Sequence, residues 1–442
     1  MIKNHPKKAI NKLSIPIIIS LLLITFNSLI DSAWVSGLGV DSLAAMGFVA
    51  PLILIISSLG NGLGIGANSI ISRCIGQGNQ DNISNAAVHS IFLTICFSLA
   101  LSLILLPFIK NIMLFFGAEG VIDYASSYAG IIFAGIIFEY TLIVLSAIIR
   151  SEGAINKAMY PLIASTIINI IIDPIFIYYL NLGIAGAALA TVISSAFSIF
   201  PLVYWIFIKK STYVKVDFSK YHHNLSIYKD ILTVAIPASL ETVCICIVTI
   251  FINSLLVTIG GNMAVGAYGV AMRIISVVVT PISGIGVANV TVVGTAFGAK
   301  NKTNIVKAFN YSTKVTLIIA VFTCSFILLF ASNLAQIFAS DASNGLDTYI
   351  THIIYILGFS VFTVPLRAVV SNILQAMEKG ITSMCFTLLK ESIFTLFAFV
   401  FAFHLSLGSD GIYYGMLTGG ILGSLIAFLY VWYFIKRLTF EQ

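Results

Sequence analysis

Asn27 and Asp31 stand four residues apart, and so do Asn169 and Asp173. Four residues is about one helical turn, so each amide shares a face with its acid. Both pairs lie in long apolar runs, the first in Leu13–Gly39 and the second in residues 158–180. An ionisable side chain in such a run is costly and marks a functional position by default. The two runs end on the same side, near Leu38 and Leu180, and Asp31 and Asp173 each lie seven residues short of those ends. At 1.5 Å per residue, both carboxyls sit about 10 Å below one surface. Thr191 is eight residues into the next run, which returns from Gly183, and falls at a similar level. Two carboxylates, two amides and a hydroxyl in one layer form the oxygen-rich set that hard cations prefer. Two close carboxylates also suit a bound proton.

Three other acids lie in apolar runs. Glu139 is midway along the fourth, has no evident partner, and is expected to line a cavity. Glu241 follows Pro237 about ten residues into the seventh; Lys390 and Glu391 lie at the same depth in the eleventh, and Arg273 and Arg367 are within reach. This second group reads equally as a structural charge network or as part of a substrate site. His89, His352 and His404 fall near the ends of runs and are expected to be interfacial. The six cysteines have no metal-ligand spacing and read as small apolar fillers.

The elements that position these residues follow from composition. Of 442 residues, 59% are hydrophobic and 9% charged, against about 25% charged in a soluble domain. The chain is therefore a polytopic membrane protein. Its approximate spans are 13–38, 44–72, 84–108, 125–149, 158–180 and 183–208, then 231–257, 263–297, 304–330, 348–374, 380–404 and 411–435. The second and eighth are long and glycine-rich and are expected to be tilted or broken near their inner ends. With an internal N-terminus, eighteen Lys and Arg fall in inner segments and only Lys110 in an outer loop. That asymmetry satisfies the positive-inside rule and places both termini in the cytoplasm. The first run is too long for a cleaved leader and contains Asp31, so it reads as an uncleaved span.

A lysine-rich stretch, 209–230, divides the chain into an N-lobe (1–208, six spans) and a C-lobe (231–442, six spans). The halves resemble each other. SIPIIISLL (14–22) matches AIPASLETV (235–243), LAAMGFVAP (43–51) lines up with VGAYGVAMR (265–273), and LGIAGAA (182–188) lies over LGSDGIY (407–413). Parallel repeats of this kind are a secondary-transporter architecture, with the substrate path between halves. No G-x-x-x-x-G-K-[ST], H-E-x-x-H, G-x-S-x-G or D-D-x-x-D motif is present, so the residues point to no ATP-driven engine and no enzyme. Net charge of +6 sits in loops between spans and does not indicate a nucleic-acid partner. Gly60, Gly62, Gly64 and Gly66 alternate within a span and read as close helix contacts or a break.

Twelve spans in two repeats, a proline then an Asp on the first span, LSAIIRSEGAINKAM (145–159), NIIIDPIFI (169–177) and GIAGAALAT (183–191) together resemble the multidrug and toxic compound extrusion (MATE) transporters, over nearly the whole chain. The resemblance implies an all-α membrane protein of twelve transmembrane helices in two pseudo-symmetric six-helix lobes, V-shaped, in the cytoplasmic membrane. It implies a cation-coupled multidrug antiporter exporting amphipathic, cationic organic compounds, with H+ or Na+ as coupling ion, no cofactor and a monomeric state. A lipid-linked precursor flippase of the same superfamily is the alternative, but such proteins need more spans or a strongly cationic cavity. The match is nearest the archaeal branch, which implies that Asp31, Asn169, Asp173 and Thr191 bind Na+ or H+ and that α-helical bending at Pro16 accompanies exchange. A fourth-span tyrosine also serves in the family, and Tyr128 fits its depth better than Tyr140. Asn27, Tyr128, Glu139 and Glu241 are then expected in the substrate cavity or just behind the ion site. The tenth span carries Arg367 and no acid, a departure from the branch that couples through the C-lobe.

Overall fold

The computed structural model describes residues 5–338 and 345–440, and also leaves the side chains of Lys220, Asn262 and Phe338 undescribed. Among the described residues there are helices and no strands. A chain immersed in hydrocarbon must satisfy every backbone N–H and C=O internally, and the helix does so within one segment. Large apolar side chains such as Leu103, Phe322 and Leu329 are correspondingly exposed, as lipid-facing residues should be.

The helices are α1 (Pro6–Ser36), α2 (Val40–Gln77), α3 (Gln80–Leu105), α4 (Ile109–Phe115), α5 (Ile122–Ala134), α6 (Ile136–Ser151), α7 (Ile155–Pro174) and α8 (Gly183–Val203). After them come α9 (Leu225–Gly298), α10 (Lys302–Leu329), α11 (Ala331–Phe338), α12 (Leu346–Leu357), α13 (Thr363–Ala376), α14 (Gly380–Phe399) and α15 (Gly408–Arg437). Among the described residues, eleven segments are long and apolar enough to cross a membrane, and a bent pair, Glu119–Ala134 with Ile136–Ser151, makes a twelfth. The fourth span is thus broken by 44° at Gly135, which the sequence reading treats as continuous. A Cβ at Gly135 would strike the Val192 side chain of α8, so glycine here permits both the bend and the approach.

The expected breaks in the second and eighth spans are absent. α2 runs unbroken through its alternating glycines. These instead admit neighbours: a Cβ at Gly64 would lie 2.8 Å from Ile143, and one at Gly66 would lie 2.7 Å from the Ile231 carbonyl. In α9 the single non-helical residue is Gly261, at φ 65°, between the seventh and eighth spans. Small residues at such seams let helices approach closely where no hydrophobic effect drives them together.

The chain forms two compact units. One comprises Ile19–Ser239; the other comprises the start of α1 up to Ile18 together with Leu240 onward. The division therefore falls inside α1 and inside α9, rather than in the 209–230 linker. That linker is held within its own unit. Glu152 accepts the Val214 amide at 2.8 Å, and burial pushes its carboxyl above the ordinary value. The Lys157 ammonium donates to the Ser211 carbonyl at 3.0 Å. His89 is fully buried: its Nε2 takes the Asn224 amide at 3.1 Å, and its ring packs on Tyr221 and Tyr228. It is a structural link. His352, at a span end, meets Asp410 at 3.1 Å. The six cysteines are free.

Candidate functional site

In the unit Ile19–Ser239, α1 and α7 each contribute one amide–acid pair, and the pairs join. The Asn27 side-chain amide donates to Asp31 Oδ2 at 2.9 Å along its own helix and to Asn169 Oδ1 at 2.7 Å across to α7. The Asn169 amide in turn donates to Asp173 Oδ1 at 3.1 Å. The Asp31 and Asp173 carboxyls themselves come within hydrogen-bonding reach of each other. Asn169 and Asp173 are buried, while Asn27 and Asp31 are partly exposed.

Both helices are anchored around this contact. Tyr178 donates its hydroxyl to the Trp34 carbonyl and sets its ring edge-on to Trp34. Ser20 donates to the Met159 sulfur at 3.2 Å. The two anchors bracket the amide bridge along α1, one toward each end, and so fix the register that brings Asn27 to Asn169.

Three oxygens in the cluster remain unsatisfied though buried: Asn27 Oδ1, Asp31 Oδ1 and Asp173 Oδ2. Leaving a buried acceptor unpaired costs about 1–3 kcal/mol, and more for a charged group. Three unpaired acceptors in one hydrogen-bonded cluster are the kind of group that a bound cation or proton satisfies.

The other expected members are placed differently. Tyr128, on α5, is buried and lies within electrostatic reach of both carboxyls. Thr191 spends its hydroxyl on the Ala187 carbonyl of its own helix at 3.1 Å, and no hydrogen bond among the described residues ties it to the acids. Tyr140 is fully buried and donates to the Ile56 carbonyl at 2.6 Å, which removes it from the cluster. Glu139 does have a partner: Ser57 of α2 donates to it at 2.9 Å. It stands apart from the Asp pair, as a single hydrogen-bonded acid. Pro16 lies inside the uninterrupted α1, two residues before the division between compact units.

Glu241 belongs to the other unit. Ser383 donates to its Oε1 at 2.6 Å, Gln375 to the same oxygen at 3.3 Å, and Ser371 to Oε2 at 2.8 Å. Its carboxylate is caged. The Lys390 ammonium meets Glu391 Oε1 at 2.7 Å. No carboxylate–carboxylate contact occurs in this group among the described residues. Asn27 is the residue that the sequence undervalues. Its spacing to Asp31 is legible, but its reach across to Asn169 makes it the bridge.

A family model described as MatE matches residues 16–175 and 237–407. The multidrug export protein MepA of Staphylococcus aureus is 26% identical over 440 residues, covering 98% of this chain and 95% of that one. A MATE crystal structure in complex with MaL6 is 33% identical with a TM-score of 0.96, covering 98% of this chain and 97% of that one. An outward-facing multidrug resistance MATE transporter of the MOP superfamily is 33% identical with a TM-score of 0.93, at the same coverage.

Proposed function

Because this chain belongs to the MATE family of multi-pass membrane transporters, we propose that it is a multidrug antiporter driven by Na+ or H+ through the Asp31–Asp173 pair, exporting amphipathic organic cations. The observation that carries this reading is the trio of buried acceptors, Asn27 Oδ1, Asp31 Oδ1 and Asp173 Oδ2, beside two carboxyls in contact. A bound cation supplies the positive charge these oxygens lack. Multidrug export is what the similar MepA proteins are named for.

Coupling requires that ion and drug favour different states, since only differential affinity shifts an equilibrium. The ion draws Asp31 on α1 toward Asp173 on α7. Its release leaves two carboxyls that repel, and α1, which carries Asp31 beyond Pro16, is the element that responds. Pro16 supplies a weak point there, because proline removes one backbone hydrogen bond and bends readily. The division between compact units just after Pro16 supports the same hinge. Asn27 and Asn169 position the carboxyls, Tyr128 closes the site from α5, and Thr191 is a ligand reached by rotating its hydroxyl off Ala187.

The test is efflux of a fluorescent organic cation from proteoliposomes under a Na+ gradient or a pH gradient imposed separately. Asp31→Asn and Asp173→Asn are each expected to cut gradient-driven efflux at least tenfold while the protein stays monodisperse. Efflux retained by both variants sinks the coupling role of the pair. Efflux driven by only one gradient names the ion.

A further inference from the structure

In the unit that begins again at Leu240, a pocket is lined by Arg367 of α13, Lys390, Ser383 and Thr387 of α14, and Ser424 of α15. Arg367 carries five N–H donors and makes no hydrogen bond or ion pair among the described residues. The acids nearby are already taken. Glu241 is satisfied by Ser371, Gln375 and Ser383, and Glu391 by Lys390. Arg367 acts on Glu241 and Lys390 only through space.

Two further observations point the same way. Ser424 is 1% exposed, its hydroxyl has no hydrogen-bond partner, and the residue is among those around this pocket. Lys390 spends one bond on Glu391 and rests over the Phe394 ring at 4.9 Å, which leaves ammonium donors to spare. Gly423 fixes the arrangement. A Cβ there would meet Lys390 Cα at 2.6 Å, so only glycine lets α15 close on the lysine's backbone and bring Ser424 beside it.

We propose that this pocket is a binding site for an oxyanion, such as the carboxylate of an amphipathic organic acid, held by the Arg367 fork with Ser424 and Lys390 as further donors. A planar guanidinium pairs with a carboxylate through two parallel hydrogen bonds, a geometry that a lysine alone does not offer. The site is separate from the Asp31–Asp173 cluster and extends recognition from organic cations to compounds that also carry an acid. The same chemistry fits an anionic lipid headgroup, and the test separates the two sources.

Calorimetric titration of the purified full chain in detergent, in a buffer that already holds a fixed excess of Na+, uses sodium benzoate, with uncharged benzamide as its isostere. Benzoate is expected to bind and benzamide not. Arg367→Gln is expected to weaken benzoate at least tenfold, Arg367→Lys less, and Ser424→Ala severalfold. Equal binding of benzoate and benzamide overturns the proposal, as does unchanged affinity in Arg367→Gln. Should Arg367→Gln fail to fold, Ser424→Ala decides, and unchanged affinity there overturns it too. Displacement of benzoate by phosphatidylglycerol but not phosphatidylcholine assigns the site to a lipid headgroup; no displacement assigns it to a soluble acid. The titration needs no gradient and no efflux, so failure of the coupling reading and failure of this one are distinguishable.

Discussion

The two halves of this chain share several backbone features and differ in chemistry. A widened, π-helical turn follows α7 at Ile175–Tyr179 and recurs 225 residues on at Val400–His404. Left-handed residues follow each turn at Asn181 and Gly183, then at Ser406 and Gly408. Gly39 and Gly261, 222 apart, both have positive φ. Yet by the same offsets Asp31 corresponds to Asn253 and Asp173 to Ala398, while Glu391 corresponds to Thr166 and Arg367 to Leu142. The N-terminal half holds two acids in contact. Among the described residues, the C-terminal half keeps its buried acids, Glu241 and Glu391, apart and gives each a partner. An ion that must come and go needs the strained arrangement, whereas a fixed framework needs the satisfied one.

The π-helical turns show what the shared scaffold rests on. Pro174 immediately precedes the first and would be blamed for it, but Phe399 stands before the second. What the two have in common is a glycine opposite. A Cβ at Gly186 would meet the Phe176 carbonyl at 2.7 Å, and one at Gly411 the Phe401 carbonyl at 2.6 Å. The close approach of the following helix, not the proline, accompanies the turn in both halves.

The sharpest way to break the comparison is to place an acid where the C-terminal half lacks one. Ala398 is fully buried, and Phe394 stands where α7 has Asn169. Ala398→Asp is therefore expected to cost more than ~3 kcal/mol, the scale of an uncompensated buried charge, read as thermal denaturation in detergent. An unchanged melting temperature would mean that this half tolerates an acid and that the difference is incidental. Next in size are Gly186→Val and Gly411→Val. Each forces a side chain into backbone, at about 1–3 kcal/mol, and the two losses are expected to match. A large loss in one half alone would end the claim of a common scaffold.

Much of this was legible in advance for a physical reason. Spacing along one helix is local, so Asn27 with Asp31 and Asn169 with Asp173 announce themselves, and depth counting puts them in one layer. Partners that arrive from distant sequence carry no such signal. Ser57 looks like any other serine in an apolar run, yet it is the partner of Glu139. The cage around Glu241 comes from residues 130, 134 and 142 positions away. Gly135 was likewise silent, because its bend depends on Val192 across the unit. The second and eighth spans misled for the opposite reason: abundant glycine suggests a broken helix, but in α2 the glycines admit close neighbours and the helix runs on uninterrupted. The division within α1 near Pro16, in place of one in the linker, depends on packing that no single segment contains.

The smallest test reaches the polar ends of the repeats. Asn79 caps α3, accepting the Asp81 and Asn82 amides at 3.0 and 3.3 Å. Asn301, 222 residues later, caps α10 and accepts the Asn304 amide at 3.0 Å. Both satisfy backbone donors that a helix start leaves open, and both follow a residue with positive φ, Gly78 and Lys300. Replacement of either by alanine is expected to cost about 1 kcal/mol. Asn79→Ala should be the costlier, because it strands two amides instead of one. Thermal denaturation of the two variants side by side checks the order. A reversed order would show that the caps have diverged as the buried acids have, and that the shared scaffold ends at the membrane-spanning helices.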